Sequence, residues 1–185
     1  NLSDVINVLV QEEGVSMAVI GSKGASGFER VLVGSNTVDV ANKVSCPVLV
    51  VPSNVEYKPP VKMAFAMDNK KLDNNSVLEP VQLLASQYQS EIQCVYIDLD
   101  GELEDFDDSE EKKQLTKAFR NIPHQFIVKE SKKITEGIDQ YIHENNIDLL
   151  IMVARKHNFF DKVFKGSITK KMSLLADIPL LLIQE

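Results

Sequence analysis

Met17-Ala18-Val19-Ile20-Gly21-Ser22-Lys23-Gly24 is the stretch that decides the fold. Four apolar residues read as a short buried strand, and two glycines follow at once. Nine residues separate Gly24 from Gly34-Ser35, and Asn36 to Val44 reads as a helix. Strand, glycine loop and helix together present bare backbone N–H groups to an anion. Upstream, Val5, Ile6, Leu9 and Val10 recur at helical spacing over residues 4–13, and Gly14 is a helix stop. Downstream, Pro47–Val51 reads as a second buried strand closed by Pro52. Residues 1–54 therefore read as helix, strand, helix, strand. Short connections of this kind imply parallel pairing with a right-handed crossover.

Val55–Pro60 is a linker by composition, its two prolines restricting it to extended forms. Lys62–Met67 opens a new series of strands. Ile92–Ile97, Gln125–Val128, Asp148–Val153 and Pro179–Ile183 continue it. Between them lie helices at Ser76–Gln89, Glu110–Phe119, Ile134–Asn145 and Ser167–Leu175. In Ser76–Gln89 the expected buried face is Val77, Val81, Leu84, Ala85 and Tyr88. Strands alternating with helices give an α/β doubly wound parallel sheet.

The chain repeats itself at an offset of 132 residues. Gly34-Ser35 then meets Gly166-Ser167, Thr37 meets Thr169, Pro47 meets Pro179, and Val15 meets Ile147. The segment 61–130 has no earlier counterpart. The reading is the C-terminal half of one domain (1–54), a linker (55–60) and a complete second domain (61–185).

Composition sets outer bounds. The formal net charge of −7 argues against nonspecific nucleic-acid or anionic-membrane binding, which needs clustered Lys and Arg. No apolar run approaches the roughly 20 residues that span a bilayer. Cys46 and Cys94 sit in or beside apolar strands without a CxxC, as buried thiols do in a reducing cytoplasm. The expected setting is therefore cytoplasmic, with neither nucleic acid nor membrane as partner.

Gly21-Ser22-Lys23-Gly24, Gly34-Ser35-Asn36 and Ser45-Cys46-Pro47-Val48-Leu49-Val50-Val51-Pro52 together resemble the universal stress protein family. They match its Gly-x2-Gly-x9-Gly-Ser/Thr nucleotide loop, and residues 61–185 resemble a second, divergent domain of a tandem form. The resemblance implies a stress-response role and a Rossmann-like sheet of five parallel strands in the order 3-2-1-4-5. It also implies pairing of domains through their last strands and a homodimer formed by those edges. ATP, with Mg accompanying it, would be the ligand of the first domain. Gly21, Gly24, Gly34, Ser35 and Asn36 would be its contacts. In the second domain the resemblance leaves only Asp68, Gly166 and Ser167 as a remnant. Val153 and Lys156, or with a one-residue gap Ala154 and His157, replace the first two glycines. Phe159, Phe160 and Phe164 fill the loop.

Other constellations carry less. No Gly-x4-Gly-Lys-Ser/Thr occurs, so the chain is not a P-loop NTPase. The acidic run Asp98–Glu111 has the wrong glycine position for a calcium loop and reads as a solvated, mobile surface segment. His124, His143 and His157 lie far apart. No metal site, catalytic base or nucleophile is identifiable. The functional expectation is a stress-response regulatory protein with an ATP-type loop. The alternatives are a ligand-independent interaction protein assembling through its last strands and, with less support, a slow ATPase. The half-domain 1–54 is expected to pack Pro47–Pro52 near Pro179–Ile183. It is also expected to leave its first strand uncovered and to borrow contacts from another chain.

Overall fold

The computed structural model describes residues 1–22, 40, 43–99, 101, 106–154 and 178–185. They form two compact units: 1–57 with 153–184, and 58–152 with residue 185.

In the first unit, α1 (Leu2–Glu13) opens on a capping box between Asn1 and Asp4 and stops at Gly14, which takes a left-handed φ of 66°. β1 (Ala18–Gly21) follows and pairs in parallel with β2 (Val48–Val51), from Ala18 opposite Val48 to Gly21 opposite Val51. β2 also pairs, antiparallel, with β7 (Leu180–Gln184), Val48 lying opposite Leu182. The strand at 48–51 thus meets the last strand of the chain. Val48, Val50 and Leu180 to Ile183 are buried. Asn7 ties α1 to the segment that leads into β2. Its amide donates to the Lys43 carbonyl at 2.8 Å, and its Oδ1 accepts from the Ser45 N–H at 2.9 Å.

In the second unit, β3 (Lys62–Met67) is flanked by β4 (Glu91–Asp98) on one side and by residues 149–152 of β6 (Leu149–Ala154) on the other, and β5 (His124–Glu130) pairs beyond β4. All these pairings are parallel. Parallel strands covered on both faces read as continuous apolar runs, and Met63–Met67 and Leu149–Met152 are buried throughout. Phe65 and Phe119 meet edge-on at 6.1 Å between ring centroids.

Three helices cover this sheet: α2 (Glu79–Tyr88), α3 (Glu110–Ala118) and α4 (Ile134–Asn145). The α4 face is closely fitted. Tyr141 Oη donates to Gln93 Oε1 at 2.7 Å in the interior. A methyl at Gly137 would lie 2.9 Å from two side-chain carbons of Ile97 and from Ser131 Cβ. Gly137→Ala, ordinarily a gain in a helix, is therefore expected to cost about 1–3 kcal/mol by overpacking. Urea denaturation followed by circular dichroism measures it.

Two expectations need correction. The helix expected over Ser76–Gln89 begins as a 3₁₀ turn, Asn75–Leu78, and becomes α-helical only from Glu79. Pro80 has no N–H and suits a helix's first turn, so the α-helix starts beside it. Its buried line shifts accordingly: Leu78, Val81 and Ala85 are buried, whereas Val77, Leu84 and Tyr88 are only half-buried. The acidic run is also not solvated at its ends. Asp98 is buried, its carboxylate accepting from Gly101 N–H at 3.1 Å and its carbonyl from Ser131 N–H at 2.9 Å. Glu111 is buried in the first turn of α3, whose N-cap is Ser109. Between those ends Phe106 packs on Tyr96 and Phe126, with the Lys112 ammonium 4.9 Å from the Phe106 centroid.

Candidate functional site

Parallel pairing of β1 and β2 brings their C-terminal ends to one edge, where α/β sheets receive ligands. Gly21 ends β1 there. Among the described residues, a Cβ on Gly21 would meet nothing within 4 Å. Ser22 follows with its side chain buried, and its hydroxyl has no hydrogen-bond partner among the described residues. Its N–H is engaged, donating to the Val51 carbonyl at 2.9 Å. The first amide of the loop thus extends the β-ladder and faces no ligand. Gly24, Gly34, Ser35 and Asn36 lie outside the described residues. Beyond the loop, Val40 and Lys43 are helical, and the Val44 N–H donates to the Val40 carbonyl at 3.0 Å.

Sequence reading passed over Ser22 and Asn7. Ser22 lies between two glycines, and only its burial and the loss of its amide to Val51 set it apart. Asn7 looks like one polar position on an amphipathic helix. Only its bridge to Lys43 and Ser45 shows that it holds the end of the segment after the loop.

In the second unit, Asp68 stands just past β3, half-buried, and its Oδ1 accepts from the Lys70 N–H at 3.3 Å. Asn69 between them takes a left-handed φ of 59°. Asp98 closes β4 opposite Glu130 of β5. Three carboxylates at this strand edge oppose an anionic ligand. Gly166, Ser167 and the loop phenylalanines lie outside the described residues.

Cys46 and Cys94 are buried free thiols, as read from the sequence. Burial pushes both thiols up, and for Cys94 the Glu111 carboxylate adds to the effect. Neither is a poised nucleophile. Among the described residues, no three His, Cys, Asp or Glu side chains converge as a metal site would require. Among them too, no helix is long and apolar enough to cross a membrane.

The family model described as "Universal stress protein family" matches residues 1–52 and 64–184. A stretch of 41 residues is 44% identical to universal stress protein YxiE of Bacillus subtilis (strain 168), covering 22% of this chain and 28% of that protein. A universal stress protein from Archaeoglobus fulgidus DSM 4304 superposes with a TM-score of 0.70 at 18% identity, over 98% of this chain and 65% of that one. That likeness shows the shared fold. A universal stress protein from Archaeoglobus fulgidus in complex with dAMP aligns at a TM-score of 0.47 and 19% identity, over 68% of this chain and 99% of that one. The chain thus spans less than two thirds of the first solved relative's length. With the family model matching residues 1–52 and 64–184, most of the sequence, the chain belongs to the universal stress protein family.

Proposed function

We propose that this chain is a stress-response regulatory protein that binds a nucleoside triphosphate through its first glycine loop. Gly21, Gly24, Gly34, Ser35 and Asn36 hold the phosphates and ribose of ATP, and Mg accompanies the phosphates. The observation that carries this reading is that, among the described residues, nothing stands within 4 Å of a Cβ on Gly21 and the buried Ser22 hydroxyl beside it has no partner. Glycines there let the backbone approach an anion, and Gly34 at a helix start adds N–H groups and dipole. The chain reads as a tandem: 1–54 the later half of one domain, 61–185 a second domain. Support comes from the two separate stretches matched by the family model. The second loop is degenerate, keeping Asp68, Gly166 and Ser167 as a remnant. Acidic groups at its strand edge favour that loss of function. A cytoplasmic homodimer assembled through last strands, with a protein partner, completes the reading.

The Ser22 amide, held by Val51, favours a second reading. In it the loop is a structural turn and the protein is a ligand-independent scaffold. Titration of the full chain with ATP and Mg, followed by calorimetry, separates the two. Saturable binding that Gly34→Val weakens at least tenfold, about 1.4 kcal/mol, supports the nucleotide reading. No binding at millimolar ATP, with assembly unchanged in Gly34→Val, supports the scaffold.

A further inference from the structure

Val40 and Lys43 are helical, and Val44 leaves the helix. The final carbonyls of a helix find no partner within it. Asn7 of α1 supplies one here: its Nδ2 donates to the Lys43 carbonyl at 2.8 Å. Its Oδ1 accepts twice from Ser45, from the N–H at 2.9 Å and from the hydroxyl at 3.1 Å. A primary amide suits this place because it carries donor and acceptor side by side. The bonds span 36 and 38 positions of sequence, so they are tertiary links rather than local turns. Val40 and Val44 are buried beside them.

The link closes a triangle. Only residues 14–17 join α1 to β1, so α1 is held close to the strand that ends in Gly21. Ser45 leads into β2 through Cys46 and Pro47, and the Pro47 carbonyl accepts from the Ala18 N–H at 2.9 Å. β1 and β2 are paired neighbours. Asn7 thereby ties the end of the helix to both strands. A helix is a rod of fixed rise, so fixing one end sets where the N–H groups of its other end point. In the sequence that other end is Gly34-Ser35-Asn36. The repeat supplies a contrast. At the offset of 132, Asn7 meets Asp139, whose carboxylate lies 3.6 Å from His143 one turn along its own helix. A carboxylate has only acceptors and gives no N–H to a carbonyl. The amide is present in the half that keeps its glycines and absent from the half that has lost the first two.

We propose that Asn7 is a positioning residue of the nucleotide loop. By bonding to Lys43 and Ser45 it sets the helix that offers Gly34, Ser35 and Asn36 to the phosphates, and it does so without touching the ligand. The inference rests on the nucleotide reading and adds to it a residue outside the loop. Loss of the link leaves the loop's residues in place but frees their helix to settle elsewhere, and binding then has to restore the alignment.

The test is calorimetric titration of the full chain and its variants with ATP and Mg, beside their urea midpoints. Asn7→Ala is expected to raise Kd by about fivefold or more. Asn7→Asp is expected to raise it at least as much, since its charge faces a helix C-terminus. Val8→Gly, at an exposed position, loosens α1 but leaves the link intact. Ser45→Ala removes only the hydroxyl bond. Both are expected to stay within about twofold of the parent Kd. A lower urea midpoint shared by Asn7→Ala and Val8→Gly, with Kd moved only in the first, separates positioning from a merely structural role. If Asn7→Ala does not fold, Asn7→Asp, which keeps an acceptor for the Ser45 N–H, decides alone. Parent affinity in both Asn7 variants overturns this inference and leaves the nucleotide reading standing. So does an equal rise of Kd in Val8→Gly. No binding by the parent chain at millimolar ATP removes the nucleotide reading and this inference with it.

Discussion

Leu182→Asp is expected to destabilise the protein by more than about 4 kcal/mol and to abolish exchange protection across Val48–Val51. Leu182 is 2% exposed and lies opposite Val48, which is fully buried, where β7 meets β2. A carboxylate there loses its water beside the buried strand residues Val48 and Val50. Burial raises its folded-state pKa above the unfolded value near 4. The sign follows: the protonated variant is the less damaged one, so the deficit is smallest at pH 4 and grows as pH rises to 7. Urea denaturation at both pH values, each against the parent chain, measures it. Val19→Asp is the control. It sits on the exposed side of β1 and is expected to change stability by no more than about 0.5 kcal/mol. Equal losses at the two positions would mean that β2 and β7 do not form the centre of the first unit.

Phe65→Ala is expected to cost about 3–5 kcal/mol, a large part of the stability of an ordinary domain. Phe65 is fully buried at the middle of β3, with Cys94 on one neighbouring strand and Ile151 on the other, both fully buried. Close packing leaves nothing free to collapse into the void. The edge-on contact with Phe119 is lost as well. Phe65→Leu keeps most of the volume and is expected to cost less than about 2 kcal/mol. Thermal or urea unfolding of the two variants side by side tests the core directly. A Phe65→Ala loss no larger than that of Phe65→Leu would contradict the packing described for β3.

Where local chemistry speaks, the sequence was legible to the residue. β3 over Lys62–Met67 and α4 over Ile134–Asn145 were read with their observed bounds. The first is an apolar run between a linker and a polar loop. The second carries its apolar residues at helical spacing and stops where Asn146 takes the left-handed turn. The reading failed where a partner distant in sequence changes a residue's value. Asp98 looks like one more acid in a charged loop, but Gly101 and Ser131 supply N–H groups that let it be buried. The site was half-legible for the same reason. The glycines mark a strand end from which side chains have been removed. Whether an adjacent amide faces outward or joins a ladder depends on the neighbouring strand, and for Ser22 that neighbour is Val51.

The sequence by itself determined the order of strands and helices among the described residues, the period of the repeat and which positions are apolar. These follow from torsional preference and side-chain periodicity, which act within a few residues. Tertiary structure alone decided how the expected contact between residues 47–52 and 179–183 is made: β2 takes β7 as an antiparallel neighbour, from Val48 opposite Leu182 to Val50 opposite Leu180. Backbone donors and acceptors are alike in every strand. The choice among edges is therefore made by which apolar faces can be buried together, a property of the assembled chain rather than of any segment.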